Sequence, residues 1–141
     1  MAGLTDASNV DAYQNPVVTT WTTTSNASPT PLNSYIAFST AGMDTVAITI
    51  VTTPGVTGGA ITFEVYDGAA WIAVKCARLS TYNTDSTYPL VGNATQGWTV
   101  PVAGYPQFRF RLSTVATGGS SDSITITNIV SSAPEIGRAH V

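Results

Sequence analysis

The sequence predicts an all-β chain folded as a single antiparallel β-sandwich of seven to nine strands, with a jelly roll as one candidate topology. Three observations carry this. Several segments alternate apolar and polar residues with a period of two, which sends successive side chains to opposite faces of a strand. Turn formers recur at the roughly 8–12-residue spacing expected of a sandwich. No segment shows the apolar period of a helix, and no internal repeat is visible.

Composition bounds the function. With 141 residues the chain suits one domain. Hydrophobic residues make up 43% and charged residues only 9%, against about 25% charged in an average domain. The polarity comes instead from 23 Thr and 13 Ser. No run of about 18 apolar residues exists, so no membrane partner is expected. A net charge of -3 argues against a nucleic-acid partner held through phosphates. The single cysteine, Cys76, excludes a disulfide framework within the chain and a thiolate zinc site.

Residues 1–16 form a polar arm carrying Asp6 and Asp11. They lack the basic start and apolar stretch of a secretory signal. The domain is expected to span residues 17–134. Val17 to Thr24 is rich in β-branched residues and reads as its first strand. Ser25 to Asn33 holds Pro29 and Pro31 and reads as a loop. Tyr35 to Phe38 is a short strand, and Thr45 to Thr53 is a longer one with Val46, Ile48 and Ile50 on one face. Ala60 to Tyr66 sets Ile61, Phe63 and Val65 against Thr62, Glu64 and Tyr66. Asp67 to Ala70 is a four-residue hairpin loop returning as Trp71 to Lys75. Cys76 to Gly97 is irregular, the kind of long connection that often carries specificity. Trp98 to Ala103 follows, with Pro101 suggesting an edge or a bulge. Gln107 to Ser113 is the clearest strand, setting Phe108, Phe110 and Leu112 against Arg109 and Arg111. Ser123 to Val130 closes the domain, with Ile124 and Ile126 inward.

Residues 135–141 change character. Ile136 to Val141 match, in one reading frame, a common short-read sequencing adapter followed by a stop codon, and this tail is set aside from fold reasoning. It contains His140, the only histidine, and Arg138. Without them the balance is four basic to eight acidic residues.

No catalytic, cofactor-binding or metal-ligating residue is expected. A nucleophile needs a base, and with His140 set aside no histidine can serve. Glu64 and Asp67 are the nearest carboxylate pair, but one is expected to point outward from a strand and the other sits in a turn, which does not suit glycoside hydrolysis. Asp44, Asp67, Asp85 and Asp122 are isolated, unlike the clustered oxygens of a calcium loop; Asp85 reads as a solvated Asx turn. Cys76 is expected to be packed and inert despite its neighbour Lys75. Asn26 and Asn93 head glycosylation sequons, read here as chance in a Ser/Thr-rich chain.

The candidate contact residues are aromatic and basic. Trp71 and Trp98 are expected in the core. Trp21, in a Thr-rich strand, and the loop residues Tyr82, Tyr88 and Tyr105 are candidates for contacting a partner or a surface glycan. Arg109 and Arg111 face away from the core and are expected either to meet carboxylates of a neighbouring subunit or to stay solvated.

Two stretches resemble a known family. Ile61 to Trp71 (ITFEVYDGAAW) is similar to a pattern of an apolar residue, then T-F-E-x-x-D-G-x-x-W. Trp98 to Tyr105 (WTVPVAGY), running into Phe108 to Ser113 (FRFRLS), resembles W-x-V-x-V-A-G-aromatic followed by R-x-R-L-S. Both patterns belong to β-rich structural proteins of tailed-bacteriophage virions, and the likeness covers most of Thr45 to Pro134. Family members often carry a longer D-D-G-G-x-x-W turn, shortened here to Asp67-Gly68-Ala69-Ala70-Trp71. The resemblance implies a non-enzymatic virion component of capsid decoration, neck or tail accessory type. It would be a homo-oligomer assembled in the host cytoplasm, contacting other virion proteins, with the N-terminal arm docked on a neighbour. The alternative is a carbohydrate-binding module for attachment to a cell surface.

Overall fold

Val46, Ile48 and Ile50 are buried on one strand, and Phe108, Phe110 and Leu112 on another. These two sets belong to different sheets, packed face to face through them. The computed structural model describes residues 17–22, 35–81, 83–119 and 121–131. Within them the chain is all-β. The strands are β1 (Val17–Thr22), β2 (Tyr35–Ser39), β3 (Thr45–Thr52), β4 (Gly58–Tyr66), β5 (Trp71–Ala73), β6 (Cys76–Arg78), β7 (Thr84–Asp85), β8 (Thr87–Pro89), β9 (Thr95–Pro101), β10 (Gln107–Thr117) and β11 (Ser123–Ser131). The expected arm at 1–16, the loop at 25–33, the tail at 135–141 and Tyr82 lie outside the described residues.

One sheet has six strands in the order β1-β11-β3-β9-β6-β7. The other runs β2-β10-β4-β5, with β8 also pairing β4, beside β5. All these pairings are antiparallel. Aromatic rings tie the sheets together. Trp21 meets Phe110 edge-on at 6.0 Å. Trp98 of the six-stranded sheet lies 5.2 Å from Phe63 and 4.7 Å from Tyr88, both of the facing sheet. Such offset and edge-on pairs add to the burial of apolar area that drives sheet-on-sheet packing.

The sandwich matches the predicted fold class, with eleven strands among the described residues rather than seven to nine. The surplus comes from the stretch expected to be irregular. β6, β7 and β8 have two or three residues each, too few to show a period. They form because long strands offer open ladder positions: Arg78 pairs with Trp98, and Tyr88 with Ile61.

The four-residue hairpin is as expected, with Tyr66 opposite Trp71. Asp67 Oδ1 accepts from the Ala69 and Ala70 amides at 2.8 Å each, and Gly68 takes the positive φ the turn needs. At the far end of β4 the ladder with β10 shifts register beyond Leu112 and again beyond Thr114. Gly59 sits there with φ +120°, where a Cβ would lie 2.8 Å from the Ala116 Cα. The bulge therefore requires glycine.

Trp98 lies in the core as expected, but Trp71 does not. Strand parity explains the difference. Trp71 stands opposite Tyr66, and both project from the outer side of the five-stranded sheet.

Candidate functional site

The outer side of the five-stranded sheet carries a layer of arginine and aromatic side chains. Register builds it. Arg109 stands opposite Glu64, and Arg111 opposite Tyr35 on one flank and Thr62 on the other. Alternation turns all of these away from the phenylalanines beneath. Glu64 Oε1 accepts from Arg109 Nε at 2.6 Å. Arg111 grips the same carboxylate with two nitrogens: Nε to Oε1 at 3.2 Å and Nη2 to Oε2 at 3.0 Å. The two long side chains lie over the carboxylate, so Glu64 is only 7% exposed although it points to the solvent side of its strand.

Aromatic rings frame this ionic centre. The Arg109 guanidinium lies 4.3 Å from the Trp71 ring centroid and 4.9 Å from that of Tyr35, both within cation–π range. Tyr66 packs on Trp71 at 5.2 Å. Beside them, Thr62 Oγ1 donates to Ser113 Oγ at 2.7 Å and accepts from Thr87 Oγ1 at 2.9 Å. Burial pushes the Glu64 pKa up, but the hydrogen bonds from Arg111 and Arg109, and their charges, outweigh it and hold it below the usual 4.5. Glu64 is therefore a fixed anion. The layer keeps one unit of net positive charge from its two arginines and one glutamate.

A second polar cluster closes one end of the core. Asp85 Oδ2 accepts from both Arg78 Nε and Trp98 Nε1 at 2.8 Å. The Arg78 guanidinium lies within 5.5 Å of the Tyr88 centroid and 5.7 Å of that of Trp98. The expected solvated Asx turn at Asp85 is thus corrected, because the aspartate satisfies the indole N–H of a buried tryptophan. Cys76 lies beside it, fully buried, with its thiol pKa pushed up to about 12 by burial and by the Asp85 charge. Asp122 links two turns, accepting from Thr53 Oγ1 at 2.7 Å, Gly55 N at 3.0 Å and Gly119 N at 2.7 Å.

The contact residues expected from sequence separate into three groups. Trp21 and Tyr88 are 2% and 3% exposed. Both are corrections: their rings fill the space between the sheets and cannot stack on a sugar. Tyr105 is 38% exposed and lines a shallow depression with Ala41, Gly42, Gly104 and Pro106, apart from the arginine layer. Arg109 and Arg111 do lie on an outer face, but the carboxylate they meet is Glu64 of their own chain. Sequence reasoning missed Tyr35, Tyr66 and Trp71 as members of this layer. The signal for Tyr66 and Trp71 was available, since they flank the four-residue hairpin loop and so share a face with Glu64.

No family model matches the sequence, and no curated protein sequence matches it. Among solved structures the chain is similar to the SPBc2 prophage-derived protein YomS, with a TM-score of 0.54 and 21% identity over 82% of this chain and 94% of that one. It is also similar to the PBSX exported protein XepA, with a TM-score of 0.57 and 13% identity. That match covers 86% of this chain and 39% of the other, so the chain corresponds to one part of a longer protein. At these identities the shared property is the fold.

Proposed function

We propose that the chain is a non-enzymatic structural component of a bacteriophage particle, of capsid decoration, neck or tail accessory type, acting through subunit contacts. The observation that carries this is the arginine–aromatic layer around Glu64. Tyr, Trp and Arg are the residue types that dominate the energetics of protein–protein contacts. Here Arg109, Trp71 and Tyr35 are held rigid by one another and by the carboxylate, so little side-chain entropy remains to be lost on docking. The carboxylates support a structural role. Glu64, Asp67, Asp85 and Asp122 are each committed to hydrogen bonds that hold strands or turns together. The fold likeness to a prophage-derived protein and the sequence resemblance to tailed-phage virion proteins point the same way.

The test is particle composition. Purified particles, analysed by mass spectrometry, are expected to contain the chain at an integral copy number. In a binding assay with the particle proteins, Arg109→Ala is expected to weaken capture at least about tenfold, the scale of a contact hot spot. Absence from intact particles would overturn the reading. Attachment to a surface glycan is the competing outcome, and binding on a glycan array that is lost in Trp71→Ala would establish it.

A further inference from the structure

The opposite outer face, that of the six-stranded sheet, has a different chemistry. Its strands β1, β11, β3 and β9 contain no charged residue. Register aligns small uncharged side chains in rows across all four. One row runs Thr20, Thr125, Val51 and Thr95. The next runs Val18, Thr127, Thr49 and Gly97. Leu79 extends this second row: its amide donates to Gly97 O at 2.8 Å, and its side chain covers the place where a Gly97 Cβ would point. Val18, Val51 and Leu79 are 62%, 41% and 60% exposed, so the face combines hydroxyls with open apolar groups.

We infer that this face is the contact between copies of the chain, packed sheet against sheet about a two-fold axis. The inference rests on reading the chain as a structural subunit, and it names the surface that reading needs. Three arguments select a second copy as the occupant. A hydroxyl both donates and accepts, so a surface of threonines is its own complement, whereas a row of lysines or aspartates is not. A chain of net charge -3 repels its own copies, and the repulsion is least where the meeting surfaces carry no charge. The size also fits. Four strands about 4.8 Å apart and about eight residues long present roughly 500 Å², so two faces cover roughly 1,000 Å², the lower bound for a specific interface. The association is accordingly weak and reversible in solution, and it leaves the arginine–aromatic layer of each copy turned outward for another partner.

The experiment is sedimentation velocity on the purified chain over a wide concentration range. The wild type is expected to show a reversible dimer. Thr127→Arg, placed mid-row, is expected to raise the dissociation constant at least about tenfold, because it buries an unpaired charge in the contact. Ala103→Arg, in the exposed turn between β9 and β10, is expected to leave it unchanged. Circular dichroism confirms that each variant is folded. A wild type that stays monomeric, or an oligomer untouched by Thr127→Arg, would overturn the inference. Either result would leave the particle-composition test standing, so the two proposals fail separately.

Discussion

Arg109 and Glu64 stand directly opposite each other on neighbouring strands, and the Arg109 Nε donates to Glu64 Oε1 at 2.6 Å. The pair joins β10 to β4 on the solvent side, while Phe108 and Val65 join the same two strands on the core side. It is one ladder stabilised from both faces.

Glu64→Gln is expected to destabilise the chain by about 1–3 kcal/mol, since it removes the charge from three hydrogen bonds. The pH dependence follows from the lowered pKa of Glu64. As pH falls, the unfolded chain takes up the proton first, at the ordinary value of 4.5. The stabilisation is therefore complete above that value and is lost as pH falls through the lower folded value. Urea midpoints measured from pH 7 down to pH 3 are expected to drop more steeply for wild type than for Glu64→Gln. Parallel curves would remove Glu64 as a source of acid sensitivity.

Cys76 is expected to resist alkylation in the folded chain. Its side chain is fully buried and its pKa is pushed up to about 12, so the nucleophilic thiolate is scarce at pH 8. Iodoacetamide labelling followed by mass spectrometry is expected to modify Cys76 only after denaturation. Equal rates with and without urea would mean that β6 opens readily.

Asn128 projects into the core between Val17 and Ile48, and neither its Oδ1 nor its Nδ2 has a hydrogen-bond partner among the described residues. A buried amide left in this state costs about 1–3 kcal/mol. Asn128→Val, an apolar β-branched replacement suited to a strand, is expected to raise the thermal midpoint. A fall would show that the amide makes a bond worth more than the apolar replacement.

Gly59→Ala is expected to cost about 1–3 kcal/mol, the scale of a non-glycine residue forced into a sparsely populated region. Its Cβ would also meet Ala116 Cα at 2.8 Å and Leu90 Cδ1 at 2.9 Å. Thermal denaturation reads the effect. A neutral outcome would mean that the β4–β10 bulge relaxes without loss.

Long alternating strands were legible because each declares its own buried face. Thr45–Thr52 and Gln107–Thr117 bury every second residue along most of their lengths, as the apolar pattern requires. The strands of two or three residues were not legible, because nothing in Cys76–Arg78 or Thr87–Pro89 distinguishes a strand from a loop. Trp21 looked open because its neighbours in the chain are threonines. It is buried because β1 lays it against Ile124 in the ladder and Phe110 across the sandwich.

By itself the sequence determined the fold class, the inward-facing sets, the hairpin at Asp67–Ala70 and the outward direction of Arg109 and Arg111. These follow from local rules, the two-residue period and turn chemistry, which act over a few bonds. Only the tertiary structure decided that the carboxylate under those arginines is Glu64, that Trp71 and Tyr35 flank Arg109, and that the four charge-free strands lie side by side. Those relationships depend on which strands pair and in what register. Glu64 and Arg109 are 45 residues apart in the chain. A pairing over such a distance is selected by how the whole set of apolar faces packs together, and no short stretch of sequence encodes it.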